Sequence, residues 1–224
     1  MAQAVAVNPT VRFWRSTIGK KMVMAVTGII MIGFVVGHVL GNLLVFRGPE
    51  KLNAYAAFLR GTGGALWMAR LVLLASVILH VVAAVQLTRL QRTARPTGYD
   101  RKEPQVSTFA ARTIRWGGLL IFFFVVLHVL HFTTGTLHPS FNHTDIYANM
   151  ISAFRVPWIS ALYIVAMAAL GLHLYHGTWS SIRTLGLNRA SRDPLKRRAA
   201  ALLAAAVWLG FTIIPVAIVA GFPR

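Results

Sequence analysis

The sequence predicts an all-α membrane protein whose chain crosses the bilayer five times, and three observations carry that prediction. Of its 224 residues, 56% are hydrophobic and only 12% charged, and the mean hydropathy is +0.62, far from the balance of a soluble domain. Apolar runs at Lys20–Phe46, Trp67–Arg89, Arg112–Thr134, Pro157–Ser181 and Ala199–Phe222 are each long enough to cross about 30 Å of hydrocarbon at about 1.5 Å per residue. None alternates with the period of a barrel strand, so each must satisfy its backbone as a closed helix. Residues 1–224 read as a single integral membrane domain.

The net charge of +18 does not point to nucleic acid, because the basic residues are sorted by connection and do not form a patch on a soluble fold. Seventeen Lys and Arg fall on the side of the N-terminal segment and the second and fourth connections, and 6 on the other side. The positive-inside rule then predicts a cytoplasmic N-terminus and an outward C-terminus. The absence of cysteine excludes disulfides, a thiolate-held iron–sulfur cluster and a covalent Cys-x-x-Cys-His haem on this chain. The first run is too long for a signal-peptide core and is read as a retained helix.

In chain order, residues 1–19 form a cytoplasmic lead-in whose Arg12, Phe13, Trp14 and Arg15 suit headgroups or a docked partner. The first connection, Arg47–Leu66, is predicted to hold a short interfacial helix at Asn53–Arg60, ending at the Gly61–Gly64 breaker. The second carries the turn signals Arg95-Pro96 and Thr97-Gly98. In the third, Gly135–Val156, the residues His138, Asn142, His143 and Asp145 are expected to be solvated loop groups. The fifth span lacks histidine and contains Pro215, tolerated in membrane helices as a kink. Five tryptophans near span ends, Trp14, Trp67, Trp116, Trp158 and Trp179, read as interfacial anchors.

Six of the eight histidines fall inside spans: His38, His80, His128, His131, His173 and His176. Ionisable groups at such depth are costly and usually face a functional interior. His38 also sits among Gly33, Gly37 and Gly41, whose four-residue repeat bares one helix face. Alone, each histidine would be read as a hydrogen-bonded packing residue. Depth, however, sorts them into pairs. His38 lies about 27 Å and His128 about 24 Å from the cytoplasmic end, while His80 and His173 lie about 20 and about 24 Å below the outer end. Two stacked haems b, separated by about 15 Å of depth, fit this layout. Spacing alone does not choose between His128 and His131, or between His173 and His176, since residues three apart share a helix face. Zinc fits less well, because no intramembrane carboxylate or thiolate accompanies the histidines.

The residues also carry a family pattern: His38-Val-Leu-Gly-Asn42-Leu followed by Gly48-Pro-Glu-Lys-Leu-Asn53-Ala-Tyr55-Ala; Leu79-His80 with Arg92-Thr-Ala-Arg95-Pro96; Leu127-His128 with Thr134-Gly135; and Gly171-Leu-His173-Leu-Tyr-His176-Gly177-Thr-Trp-Ser180. Over nearly its whole length the chain resembles the five-helix, di-haem cytochrome b subunit of succinate:quinone oxidoreductases, the succinate dehydrogenases and fumarate reductases. The resemblance implies a haem-binding bundle of the first four helices, with His38 and His128 on the distal haem and His80 and His173 on the proximal one. It implies a flavoprotein and an iron–sulfur subunit on the cytoplasmic face of a bacterial inner membrane, passing electrons from succinate through two haems b to a quinone, menaquinone in this reading. Arg15, Arg89 and Arg183 near helix ends suit haem propionates or the docked partner. Around an outer quinone site the polar groups of first interest are Asn42, Lys51, Asn53 and Tyr55, with a site near the proximal haem as the competing placement. A higher oligomer of the complex stays open.

Two other readings compete. One is a haem b subunit of a hydrogenase or formate dehydrogenase, distinguished by its soluble partner. The other is a histidine-lined transporter without haem, which the near absence of intramembrane carboxylates disfavours.

Overall fold

Each apolar run of the sequence becomes one long helix, and no strand occurs among the described residues. The computed structural model describes residues 8–94, 97, 107–187 and 193–223. The turn residues Arg95, Pro96 and Gly98 lie outside them. The elements are α1 (Pro9–Arg15), α2 (Thr17–Asn42), a 3-10 turn (Leu43–Arg47), α3 (Pro49–Gly61), α4 (Gly64–Thr93), α5 (Phe109–His128), a π-helical turn (Val129–Thr133), α6 (Ile146–Phe154), α7 (Pro157–Thr184) and α8 (Asp193–Val219). Five of them, α2, α4, α5, α7 and α8, are long and apolar enough to cross a membrane, which makes this a multi-pass membrane protein.

Local chemistry fixes where the helices start. Ser16 separates α1 from α2 by using its side chain twice. Its hydroxyl donates to Phe13 O at 2.8 Å and accepts from Gly19 N–H at 2.9 Å. A Cβ at Gly19 would lie 2.0 Å from Phe13 O, so only glycine admits this corner. Lys20 is buried there, its ammonium donating to Trp14 O at 2.7 Å and Arg15 O at 3.0 Å. These are the last carbonyls of α1, which have no partner within that helix. The interfacial helix expected at Asn53–Arg60 is α3, and it begins four residues earlier. Gly48, at φ 89°, turns the chain, and Pro49 takes the first helical position.

α2 and α7 pack against each other, α4 flanks α2, α5 flanks α7, and α8 lies against α7 and α2. α4 and α5 share no extensive interface. Side-chain contacts from α2 to α5 and from α4 to α7 close this row into a square that stays open along its α4/α5 edge. The chain exposes 14979 Å², whereas a soluble fold of this mass would expose about 10,000 Å². The excess is apolar helix surface, including Leu71, Leu74 and Ile78 on α4 and Leu119, Phe123 and Val126 on α5, as lipid-facing helices require.

The two ends of the bundle differ. The end bearing α1 is rich in Lys and Arg, and we call it the basic end. The opposite end carries the main core cluster, in which Val45, Leu52, Met150, Phe154, Tyr163 and Ile214 draw together the 3-10 turn, α3, α6, α7 and α8. In the third connection Asn142 and His143 are exposed, as expected, and Asp145 is half-buried, but the segment is not wholly a solvated loop. It contains α6, and His138 is buried, with its Nε2 3.0 Å from Asn149 O and its Nδ1 accepting from Ser140 N–H at 3.3 Å. Asn142 and Asn149 exchange reciprocal bonds of 2.8 and 2.7 Å.

Asp145 caps α6, accepting from Ala148 N–H at 2.9 Å and from the Asn53 amide at 2.9 Å, while Asn53 Oδ1 accepts from Tyr147 N–H at 3.1 Å. The Ala148 N–H, and after it the Asn53 amide, hold the Asp145 carboxyl below its ordinary value of 3.8. A depressed folded-state pKa contributes stability that is present above the ordinary value and disappears as pH falls through the folded one. Thermal unfolding of the solubilised chain is therefore expected to show an acid-dependent loss below about pH 4 that Asp145→Asn diminishes. Asn53→Ala should cost about 1 kcal/mol at neutral pH.

Candidate functional site

An imidazole inside hydrocarbon must find polar company or a ligand, and four of the span histidines find each other. His38 on α2 meets His128 on α5, their ring centroids 5.8 Å apart at 82°. His80 on α4 meets His173 on α7, with centroids 6.2 Å apart at 53°. These contacts cross the two diagonals of the square, where the helices themselves do not pack.

Three helices give the spacing between the pairs. His80 touches α2 at Thr27 and Gly28, ten residues before His38. Gly118 of α5 lies against His173, ten residues before His128. Tyr163 of α7 packs on His128, ten residues before His173. All three give about 15 Å along the axis, with His80 and His173 in the basic half.

The surroundings of the pairs differ. A Cβ built on Gly28 would stand 3.6 Å from His80 Cε1, and one on Gly118 3.6 Å from His173 Cε1. Each ring of this pair therefore rests on bare helix backbone. A groove of about 230 Å³ adjoins His173, lined by Phe109, Thr113, Gly117, Leu120 and Ala169 among others. The other pair sits among aromatics: Phe34 stacks on His38 with centroids 5.2 Å apart, and Phe124, Phe132 and Tyr163 surround His128.

This donor set fits a bis-imidazole tetrapyrrole. Two nitrogens bound about 2 Å from one iron place ring centroids about 6.3 Å apart, close to both observed separations. The macrocycle would supply four further ligands. No group of three or more His, Asp or Glu among the described residues could hold a bare metal ion. His128 Nδ1 and His173 Nδ1 are buried without a hydrogen-bond partner. A Cβ at Gly117 would meet nothing within 4 Å, so this glycine leaves room in the groove beside His173; Gly33 and Gly37 likewise meet nothing but are exposed. The groove, lined by α5 and α7, is smaller than the roughly 300–1,000 Å³ of whole-ligand sites, so a macrocycle requires the side chains around it to part.

The remaining residues of interest from the sequence lie elsewhere. Asn42 is adjacent to the upper pair: its amide nitrogen donates to His38 O at 2.7 Å and lies 3.3 Å from His38 Nδ1. Tyr55 packs on Gly41, where a Cβ would stand 2.6 Å from its ring. Asn53 is engaged at both ends of its amide by α6, and Lys51 is exposed. Arg15, Arg89 and Arg183 are exposed at the basic end, and Arg183 and Arg197 both stack on Trp179, at 5.6 and 4.5 Å from its centroid. His176 pairs with no other histidine ring among the described residues.

His131 separates from His128 because it lies within the π-helical turn that begins directly after His128, and such turns often mark functional positions. It is buried, 2.9 Å from the Tyr163 hydroxyl, and stacks on His138 with centroids 5.2 Å apart. Tyr163 and Thr27 are the site neighbours that sequence reasoning missed. Their signal was a hydroxyl inside an apolar span.

No protein-family model matches the chain, and neither a curated protein nor a solved structure matches it. Removing the Tyr163 hydroxyl strands a buried His131 nitrogen, so Tyr163→Phe should cost about 1–3 kcal/mol. In a thermodynamic cycle read by thermal unfolding, adding His131→Phe should cost clearly less than it does in the wild-type background. Additive losses would contradict the bond.

Proposed function

We propose that the chain is the cytochrome b membrane subunit of a succinate:quinone oxidoreductase, carrying electrons from a partner iron–sulfur subunit to membrane quinone, with haem b as the one-electron carrier at each histidine pair. The observation that supports this most is the presence of two histidine pairs on crossed diagonals, about 15 Å apart along the helices, each with ring centroids separated about as in a bis-imidazole iron. His38 and His128 hold the outer group; His80 and His173 hold the inner one.

In this reading the basic end is cytoplasmic by the positive-inside rule and receives the soluble subunits, while the exposed Arg15, Arg89 and Arg183 meet propionates or partner carboxylates. Quinone binds at the opposite end, with Asn42, Lys51 and Tyr55 nearest the outer pair and Asn53 holding α3 in place against α6. Menaquinone is the quinone we favour. Electrons then move toward the positive side of the membrane and gain about 2.3 kcal/mol per charge per 100 mV, which helps reduce a low-potential quinone.

The test is pyridine haemochrome quantification and a reduced-minus-oxidised spectrum of the purified complex. Two haems b per chain, at least one reducible by succinate, are expected. His80→Ala and His38→Ala should each remove one haem and leave the other. An intact complex without haem would overturn the reading and favour a histidine-lined transport path.

A further inference from the structure

We infer that Thr27 sets the tautomer of His80, presenting its Nε2 as a bare donor, and is thereby the positioning residue of the basic-end pair. Thr27 is 5% exposed. Its Oγ1 lies 2.7 Å from Val23 O, 3.3 Å from Met24 O and 3.2 Å from His80 Nδ1. A hydroxyl has one proton to give, and a carbonyl only accepts. The short bond to Val23 O takes that proton, so toward His80 the Thr27 oxygen offers only lone pairs. His80 Nδ1, which also faces the Met24 carbonyl of the same α2 turn, must then carry the hydrogen, and a neutral imidazole protonated at Nδ1 has an unprotonated Nε2.

Gly28, the next residue, lets the Nδ1–Cε1 edge of His80 rest against α2, leaving Nε2 as the nitrogen not engaged there. The other three paired histidines lack this arrangement. His128 Nδ1 and His173 Nδ1 have no partner, and His38 Nδ1 faces an amide nitrogen, itself a donor. The carbonyl behind Thr27 also polarises its oxygen, which strengthens the His80 bond and makes Nε2 more basic. His80 is thus the one paired histidine preset as a ligand. That it binds haem iron rests on the function proposed above; the tautomer does not.

The test uses the full chain, labelled with 15N at histidine and held in lipid nanodiscs, with the His80 signals identified by their loss in His80→Gln. Wild type and Thr27→Ser should show a protonated Nδ1 and an unprotonated Nε2 at His80, and Thr27→Val should show a mixture of both tautomers. Protonated Nε2 in wild type, or an unchanged pattern in Thr27→Val, would overturn the inference. In the intact complex, Thr27→Val should weaken retention of the basic-end haem by about 10- to 100-fold, leave the other haem unchanged, and be rescued by Thr27→Ser. A wild-type complex without haem defeats the proposed function, whereas the nitrogen spectra still decide the role of Thr27.

Discussion

The cost of an unpartnered imidazole in hydrocarbon is the constraint on which this architecture depends. Six span histidines are more polarity than five apolar helices can hide singly, and the bundle answers by turning four of them inward across its diagonals. α2 and α7 form the seam, and each contributes a histidine to one pair and backing to the other, α2 through Thr27 and Gly28 and α7 through Tyr163. Ten-residue intervals on α2, α5 and α7 then repeat the same spacing between levels, so the two pairs are held at fixed relative height by three independent rulers.

The two ends of the bundle meet that constraint differently. At the end opposite α1, aromatic rings enclose His128, α3 and α6 are clamped through Asn53 and Asp145, and His138 is fully satisfied by backbone groups. Closing a bundle with short helices satisfies backbone that a bare loop would leave unpaired at the edge of the membrane. Toward the basic end, glycine backbone takes the place of side chains behind His80 and His173, and a groove lies beside His173. His80 of that pair also meets a hydroxyl on the neighbouring helix, Thr27 Oγ1 at 3.2 Å.

Much of this was legible because it depends on length and counting. A span must reach across hydrocarbon, so its approximate limits follow from composition, and a rise per residue converts sequence position into depth; that arithmetic brought His38 to the level of His128. What escaped depends on contacts distant in sequence. α6 is nine residues long, and in a connection already dotted with polar residues its apolar content gave no span signal. His138 reads as a loop histidine until Asn149 and Ser140 close around it. Thr27 reads as an ordinary helix threonine bonding back to its own helix, which it does, and only the fold brings His80 to its other side. The π-helical turn that parts His131 from His128 left no mark that residue spacing could detect.

The open α4/α5 edge gives the diagonal pairs a structural meaning as well as a chemical one. Among the described residues, backbone packing ties α4 chiefly to α2 and α5 chiefly to α7, and the α4/α5 edge is spanned near the basic end by a hydrogen bond of 2.6 Å from Arg115 to Gln91 Oε1. A bond across the α2–α5 diagonal and another across the α4–α7 diagonal, at different heights, would brace the square as crossed struts brace a frame. In the haem reading, each iron joins two helices that do not otherwise pack, and its binding energy becomes stabilisation of the bundle, as metal binding does wherever ligands from separate elements meet only in the folded state. In that reading the α4/α5 edge, where helix packing is slightest among the described residues, is the side by which a macrocycle would enter.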